Sequence, residues 1–145
     1  PPILSDAAPL GGLVDGVLRN DGNTVHAMRD PTRGGVAAVL CEWVMPDMDI
    51  LIHESTVPIR PDVAAACRIL GLDPLFIACE GVILFSVPAC CAESVLSDIR
   101  RSEQGRDAVF LGEVIPGTGA VFTVMDYGAR RRIHMPGGEL LPRIC

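Results

Sequence analysis

Lysine is absent from this chain: all 12 basic residues are arginine. That excludes a phosphate-gripping lysine of the Walker type, a Schiff-base lysine and a lysine general base. Any chemistry that needs a lysine must take it from another domain or chain. Positive charge is also short, with a net charge of −6. Nucleic acid is therefore not an expected partner, because phosphate binding calls for a basic surface. No apolar run is long enough to span a bilayer, and no signal peptide is visible, so no membrane association is expected. The six cysteines (41, 67, 79, 90, 91 and 145) form no C-x-x-C pair. They also lack zinc-finger spacing to His26, His53 or His134, so no metal site is expected. Adjacent Cys90 and Cys91 cannot easily bridge to each other. Reduced thiols in a cytoplasmic protein are the expectation for the five internal cysteines.

What is present suits a folded domain. The 145 residues are 49% hydrophobic and 21% charged, enough to build a core and too apolar for disorder. The first residue is Pro1, which leads to the expectation of a fragment or a processed chain. The stretch "SDAAPLGGLVDGVLRN" reads as a helix capped by Ser5 or Asp6. "TVHAMRD" reads as a short strand, "VAAVLCEWVM" as a helix and "MDILIHE" as a strand. "RPDVAAACRILGL" reads as a helix closed by Gly71. "EGVILFSVP" is a strongly apolar strand candidate, and "ACCAESVLSDIRRSEQG" an amphipathic helix. "AVFLGEVI", "AVFTVMD" and "RRRIHM" are three further strands, the last two joined by a turn at "YGA". Helices and strands alternate and strands cluster late, which predicts an α/β (α+β) fold with a mixed, largely antiparallel sheet and helices packed on it. The expected organisation is one domain over residues 1–135 and a tail over 136–145.

Three stretches carry chemistry. "DPTRGG" (Asp30, Thr32, Arg33, Gly34 and Gly35 around Pro31) lies between a strand and a helix. It can turn backbone N–H groups toward a phosphate, or serve only as a tight turn in which the glycines permit close packing. "ACEG" sets Glu80 before an apolar strand. Such a carboxylate either gains basicity through desolvation and moves protons or is a solvated loop residue. The three arginines 130–132 alternate faces on a strand and do not make one patch. "PGGELLPRIC" ends on Cys145, a poor place for a core thiol and a good one for a sulfur that must move. From Gly137 to Cys145 the chain can reach about 30 Å.

"HAMRDPTRGGVAAVL", "ACEG" and the final "PRIC" together resemble the C-terminal half of the hydrogenase maturation factor HypE family. That family belongs to the group typified by aminoimidazole ribonucleotide synthetase and selenophosphate synthetase. The resemblance implies the C-terminal domain fold of that synthetase. It implies a role in making the cyanide ligands of nickel–iron hydrogenase: the carbamoyltransferase HypF loads a carboxamide on Cys145, ATP drives its dehydration to thiocyanate, and the HypC–HypD complex accepts the cyano group. Glu80 matches a family glutamate held to assist proton transfer, and the "DPTRGG" loop is placed beside the nucleotide. ATP and magnesium are bound mainly by an N-terminal domain that this chain lacks, which also carries the homodimer interface. The chain alone is therefore expected to be inactive. Two other readings stand beside this one: a non-catalytic carrier module that only presents Cys145 to partners, and the equivalent domain of a related synthetase.

Overall fold

The computed structural model describes residues 4–135 together with Gly137. The expected tail, Cys145 included, otherwise lies outside these residues. The elements run α1 (Gly11–Asp21), β1 (Ala27–Arg29), α2 (Gly35–Trp43), β2 (Met48–His53), α3 (Pro61–Leu70), β3 (Leu84–Ser86), α4 (Ala92–Arg100), β4 (Gly112–Pro116), β5 (Val121–Val124) and β6 (Arg130–Ile133). The described chain forms two units. One holds Leu4, Thr32–Ala78 and residues 111–135; the other holds Ser5–Pro31 and Cys79–Phe110.

In the first unit a four-stranded sheet has the order β4-β2-β5-β6. β2 pairs antiparallel with β4 and parallel with β5, and β5 pairs antiparallel with β6. The apolar run Ile50–Leu51–Ile52 puts β2 at the centre, and all three are buried. Ile50, Ile52, Val121 and Ile133 pack with Ala37 and Leu40 of α2 and with Leu75. The helix expected over "VAAVLCEWVM" thus forms, as Gly35–Trp43. Helix α3 has Pro61 in its first turn and ends where Gly71 takes a left-handed conformation, φ 68°. The N–H of Leu72 returns to the Cys67 carbonyl at 2.9 Å, closing the helix end.

The second unit is smaller. β1 and β3 pair antiparallel over three residues each, and α1 and α4 bury Leu13, Val17, Val95 and Ile99 together. Two expectations fail here. Helix α1 begins at Gly11, after Leu10, with no side-chain cap. Pro9 disfavours helical backbone at Ala8. Ser5 Oγ accepts from Ala7 at 3.2 Å, while Asp6 is engaged elsewhere. The strand expected over "EGVILFSVP" shrinks to Leu84–Ser86, half-buried, because its only partner strand among the described residues is three residues long. Similarly, "AVFLGEVI" becomes strand only from Gly112 onward. The mixed, largely antiparallel arrangement is as predicted.

A polar clamp fixes the β4–β5 connection. The N–H groups of Thr118 and Ala120 donate to Asp49 Oδ1 at 2.8 and 2.9 Å. The bond from Thr118 is the main reason that the Asp49 carboxyl sits below the ordinary aspartate value of 3.8, against a smaller opposing effect of burial. A carboxyl depressed in the folded state stabilises the fold above its unfolded pKa, and that contribution disappears as pH falls below about 4. Asp49→Asn is expected to lower the melting temperature at pH 7 and to flatten the loss of stability between about pH 5 and pH 3. Thermal melts of both proteins across that range check it; parallel curves would remove the clamp from the pH response.

Candidate functional site

The six residues of "DPTRGG" are divided between the two units. Asp30 and Pro31 close a stretch of the second unit, and Thr32 opens the first. Asp30 and Arg33 are exposed, whereas Pro31 and Gly35 are buried. Gly34 and Gly35 both have φ 66°, a conformation that favours glycine. At Gly35 the reason is close approach: a Cβ there would run into the carbonyl oxygens of Leu75 and Ile77. Gly34 stands at the N-terminus of α2, whose first turn has no acidic side chain. The turn Pro74–Phe76 that receives Gly35 is itself held, since Asp73 accepts the Leu75 N–H at 3.0 Å and pairs with Arg131 at 2.9 Å.

Glu80 lies in the second unit with its side chain exposed. The desolvated carboxylate allowed by the sequence is not found; the solvated loop is. Its backbone, by contrast, is fixed. The N–H groups of Glu80 and Gly81 donate to the Asp6 carboxylate at 2.9 and 3.3 Å. One residue earlier, the Cys79 N–H donates to the Pro31 carbonyl at 3.0 Å. The structure therefore joins "ACEG" to the Asp30–Pro31 half of "DPTRGG" through one backbone bond. The Cys79 thiol is pushed up to about 11, first by burial and then by the Asp6 and Glu80 carboxylates. It stays protonated at neutral pH and is not a nucleophile there.

Sequence reasoning placed Asp6 as a helix cap and missed this role. Its partners are 74 and 75 positions away, so no local pattern announces it. Cys145 cannot be placed relative to these groups, because it lies outside the described residues. Among those residues no group of three or more His, Cys, Asp or Glu could hold a metal ion, and no helix is long and apolar enough to cross a membrane.

Residues 3–125 match the family described as AIR synthase related protein, C-terminal domain. The chain belongs to that family. It is 41% identical over 145 residues to carbamoyl dehydratase HypE of Rhizobium leguminosarum bv. viciae, covering 99% of this chain and 41% of the relative. It is 40% identical to the protein of the same name from Bradyrhizobium diazoefficiens, covering 99% and 42%. The chain thus spans about four tenths of the length of these relatives. Among solved structures, it superposes on E. coli HypE with a TM-score of 0.89 and 39% identity, covering 100% of this chain and 44% of that one. HypE in the HypE–HypF complex gives 0.85 at 37%, covering 94% and 44%. HypE in complex with ATP gives 0.83 at 32%, covering 94% and 43%. The resemblance read from "HAMRDPTRGGVAAVL" and "ACEG" is borne out at the level of family and fold.

Two outcomes follow from the geometry. Gly35→Ala adds a Cβ where carbonyls already sit, in a left-handed conformation, and is expected to cost upwards of about 3 kcal/mol; chemical denaturation measures it, and a loss below about 1 kcal/mol would mean that the turn yields easily. Asp6→Ala removes one acceptor from two amides and is expected to cost only about 1 kcal/mol, yet to speed hydrogen exchange at the amides of Glu80 and Gly81. Unchanged exchange at both would show that the carboxylate does not hold this loop.

Proposed function

We propose that this chain is the C-terminal domain of an ATP-dependent carbamoyl dehydratase acting in hydrogenase maturation, with Cys145 as the carrier of the group that is dehydrated. The observation that carries this reading is similarity over essentially the whole chain, in sequence and in fold, to proteins of that activity. A thiol loaded with a carboxamide, R–S–C(=O)NH2, holds an oxygen that leaves poorly. Transfer of a phosphoryl group from ATP to this oxygen makes phosphate the leaving group. The C–O bond then breaks, the nitrogen gives up two protons, and R–S–C≡N, ADP and phosphate result. The loading thiol acts as its thiolate.

Residues of this chain have defined places in that scheme. Glu80 accepts a proton from nitrogen: its side chain is exposed and able to meet an incoming group, while Asp6 keeps its backbone in place. The N-terminus of α2, with Thr32, Arg33, Gly34 and Gly35 leading into it and no acidic side chain in its first turn, suits a phosphate oxygen. Asp30 completes the same loop. Magnesium coordination is assigned to the part of the protein that the relatives have and this chain does not span, as are most nucleotide contacts and a homodimer interface. HypF is proposed as the donor of the carboxamide and the HypC–HypD complex as the acceptor of the cyano group, in the cytoplasm.

Single-turnover mass spectrometry on the full-length protein with HypF, carbamoyl phosphate and ATP tests the assignment. Cys145→Ala is expected to abolish loading. Glu80→Gln is expected to load normally and to dehydrate about 10²–10⁴-fold more slowly. A carboxamide found on another cysteine would overturn the carrier role. Dehydration at the wild-type rate in Glu80→Gln would move the proton transfer to another residue.

A further inference from the structure

The proposed function leaves Cys90 and Cys91 unused. Both precede α4, in the 3₁₀ turn Ala89–Cys91. Cys90 is exposed and Cys91 half-buried, the latter packed at the margin of the second unit's core. Their sulfurs are 3.6 Å apart. Side chains adjacent in sequence do not normally converge, so this is a local arrangement with chemical consequences.

Direct closure to a disulfide is disfavoured. Neighbouring Cα atoms lie about 3.8 Å apart across a trans peptide, short of the roughly 4.4–6.8 Å that a disulfide spans. Bridging through a third atom is another matter. With bonds of about 2.3 Å, the length of a zinc–thiolate bond, two sulfurs 3.6 Å apart meet one centre at an angle of about 100°. No rearrangement of the backbone is required. We propose that Cys90 and Cys91 form a vicinal dithiol site that chelates a single thiophilic centre, and that trivalent arsenic bearing hydroxyl groups is the class of ligand it fits.

Coordination demand favours that class over a divalent cation. Tetrahedral zinc takes four ligands, and no third His, Cys, Asp or Glu joins the pair within the described residues. Trivalent arsenic is held by two sulfurs and keeps its third substituent. Proton balance points the same way. The Cys91 thiol is raised by its hydrogen bond with Cys90, then by burial, and further by the charges of Cys90 and Asp21, so it keeps its proton at neutral pH. In the condensation each thiol proton leaves with one arsenic hydroxyl as water. Two As–O bonds break, two As–S bonds form, and arsenic remains trivalent. The exposed Cys90 makes the first bond and Cys91 closes the chelate.

Phenylarsine oxide is the probe, used on the full chain and read by intact mass and by titration. One adduct per chain is expected, stable to excess monothiol and removed by a small dithiol. Closing a chelate makes the second bond intramolecular, so Cys90→Ser and Cys91→Ser are each expected to weaken binding by about a hundredfold. Cys79→Ser and Cys41→Ser leave it unchanged. Cys90 is exposed, so its serine variant keeps the fold and the result stays readable. No monothiol-resistant adduct on the wild-type chain, or one that survives in Cys90→Ser, would overturn the proposal.

Discussion

The first unit depends on β2. Its neighbours on either side run in opposite senses, β4 antiparallel and β5 parallel, so the chain leaving β4 must cross the start of β2 to enter β5. That crossing, residues 117–120, is stitched onto the strand it passes. Gly117 donates to the Asp47 carbonyl, Gly119 to that of Met48, and Ile50 to that of Ala120, at 2.9–3.1 Å. Asp49 adds its carboxylate from the middle of the same stretch. A slip of one residue would turn Ile50 and Ile52 away from α2, and these bonds are what forbid it. Polar groups at one end of a strand thereby decide which apolar groups enter the core.

Much of this was legible in the sequence because it is local. The helix α2, the apolar run of β2, the stop at Gly71 and the turn at Gly128 each follow from a few adjacent residues. Residues 130–132 were read as a strand, and they form β6, one edge of the sheet, with all three arginines exposed. What misled was hydrophobicity without a partner. "EGVILFSVP" is as apolar as β2, yet a strand extends only as far as something pairs with it. Ser5 and Asp6 misled in a second way. Both are good capping residues, but a carboxylate goes to its best donors, and those of Asp6 are two amides at the far side of the sequence.

The candidate site divides along the same line. "DPTRGG" allowed two readings, a phosphate cradle and a packing turn, and the geometry at Gly35 establishes the second without bearing on the first. Glu80 was singled out by position, but its exposure was not foreseen, since a flanking apolar strand does not say which way a loop side chain faces. The role proposed for Cys145 came from a resemblance and not from local chemistry. Cys90 and Cys91 were read as ordinary thiols because spacing alone carries no distance between sulfurs. The turn before α4 supplies it.

The absence of lysine has a structural counterpart at the start of α2. Arg131 projects from edge strand β6 to Asp73 at 2.9 Å, with both side chains substantially exposed. Such a pair adds little stability by itself. Its importance is positional. The second oxygen of the same carboxylate accepts the Leu75 N–H, and the Leu75 carbonyl is one of the two groups against which Gly35 is packed. A guanidinium on the edge strand is thus coupled, through one aspartate and one 3₁₀ turn, to the first residue of α2. An ammonium, a point charge on a flexible stem, would hold Asp73 less directionally than a planar fork. The α2 N-terminus is in this way linked to the sheet edge through three successive contacts, next to the loop that bears Thr32 and Arg33.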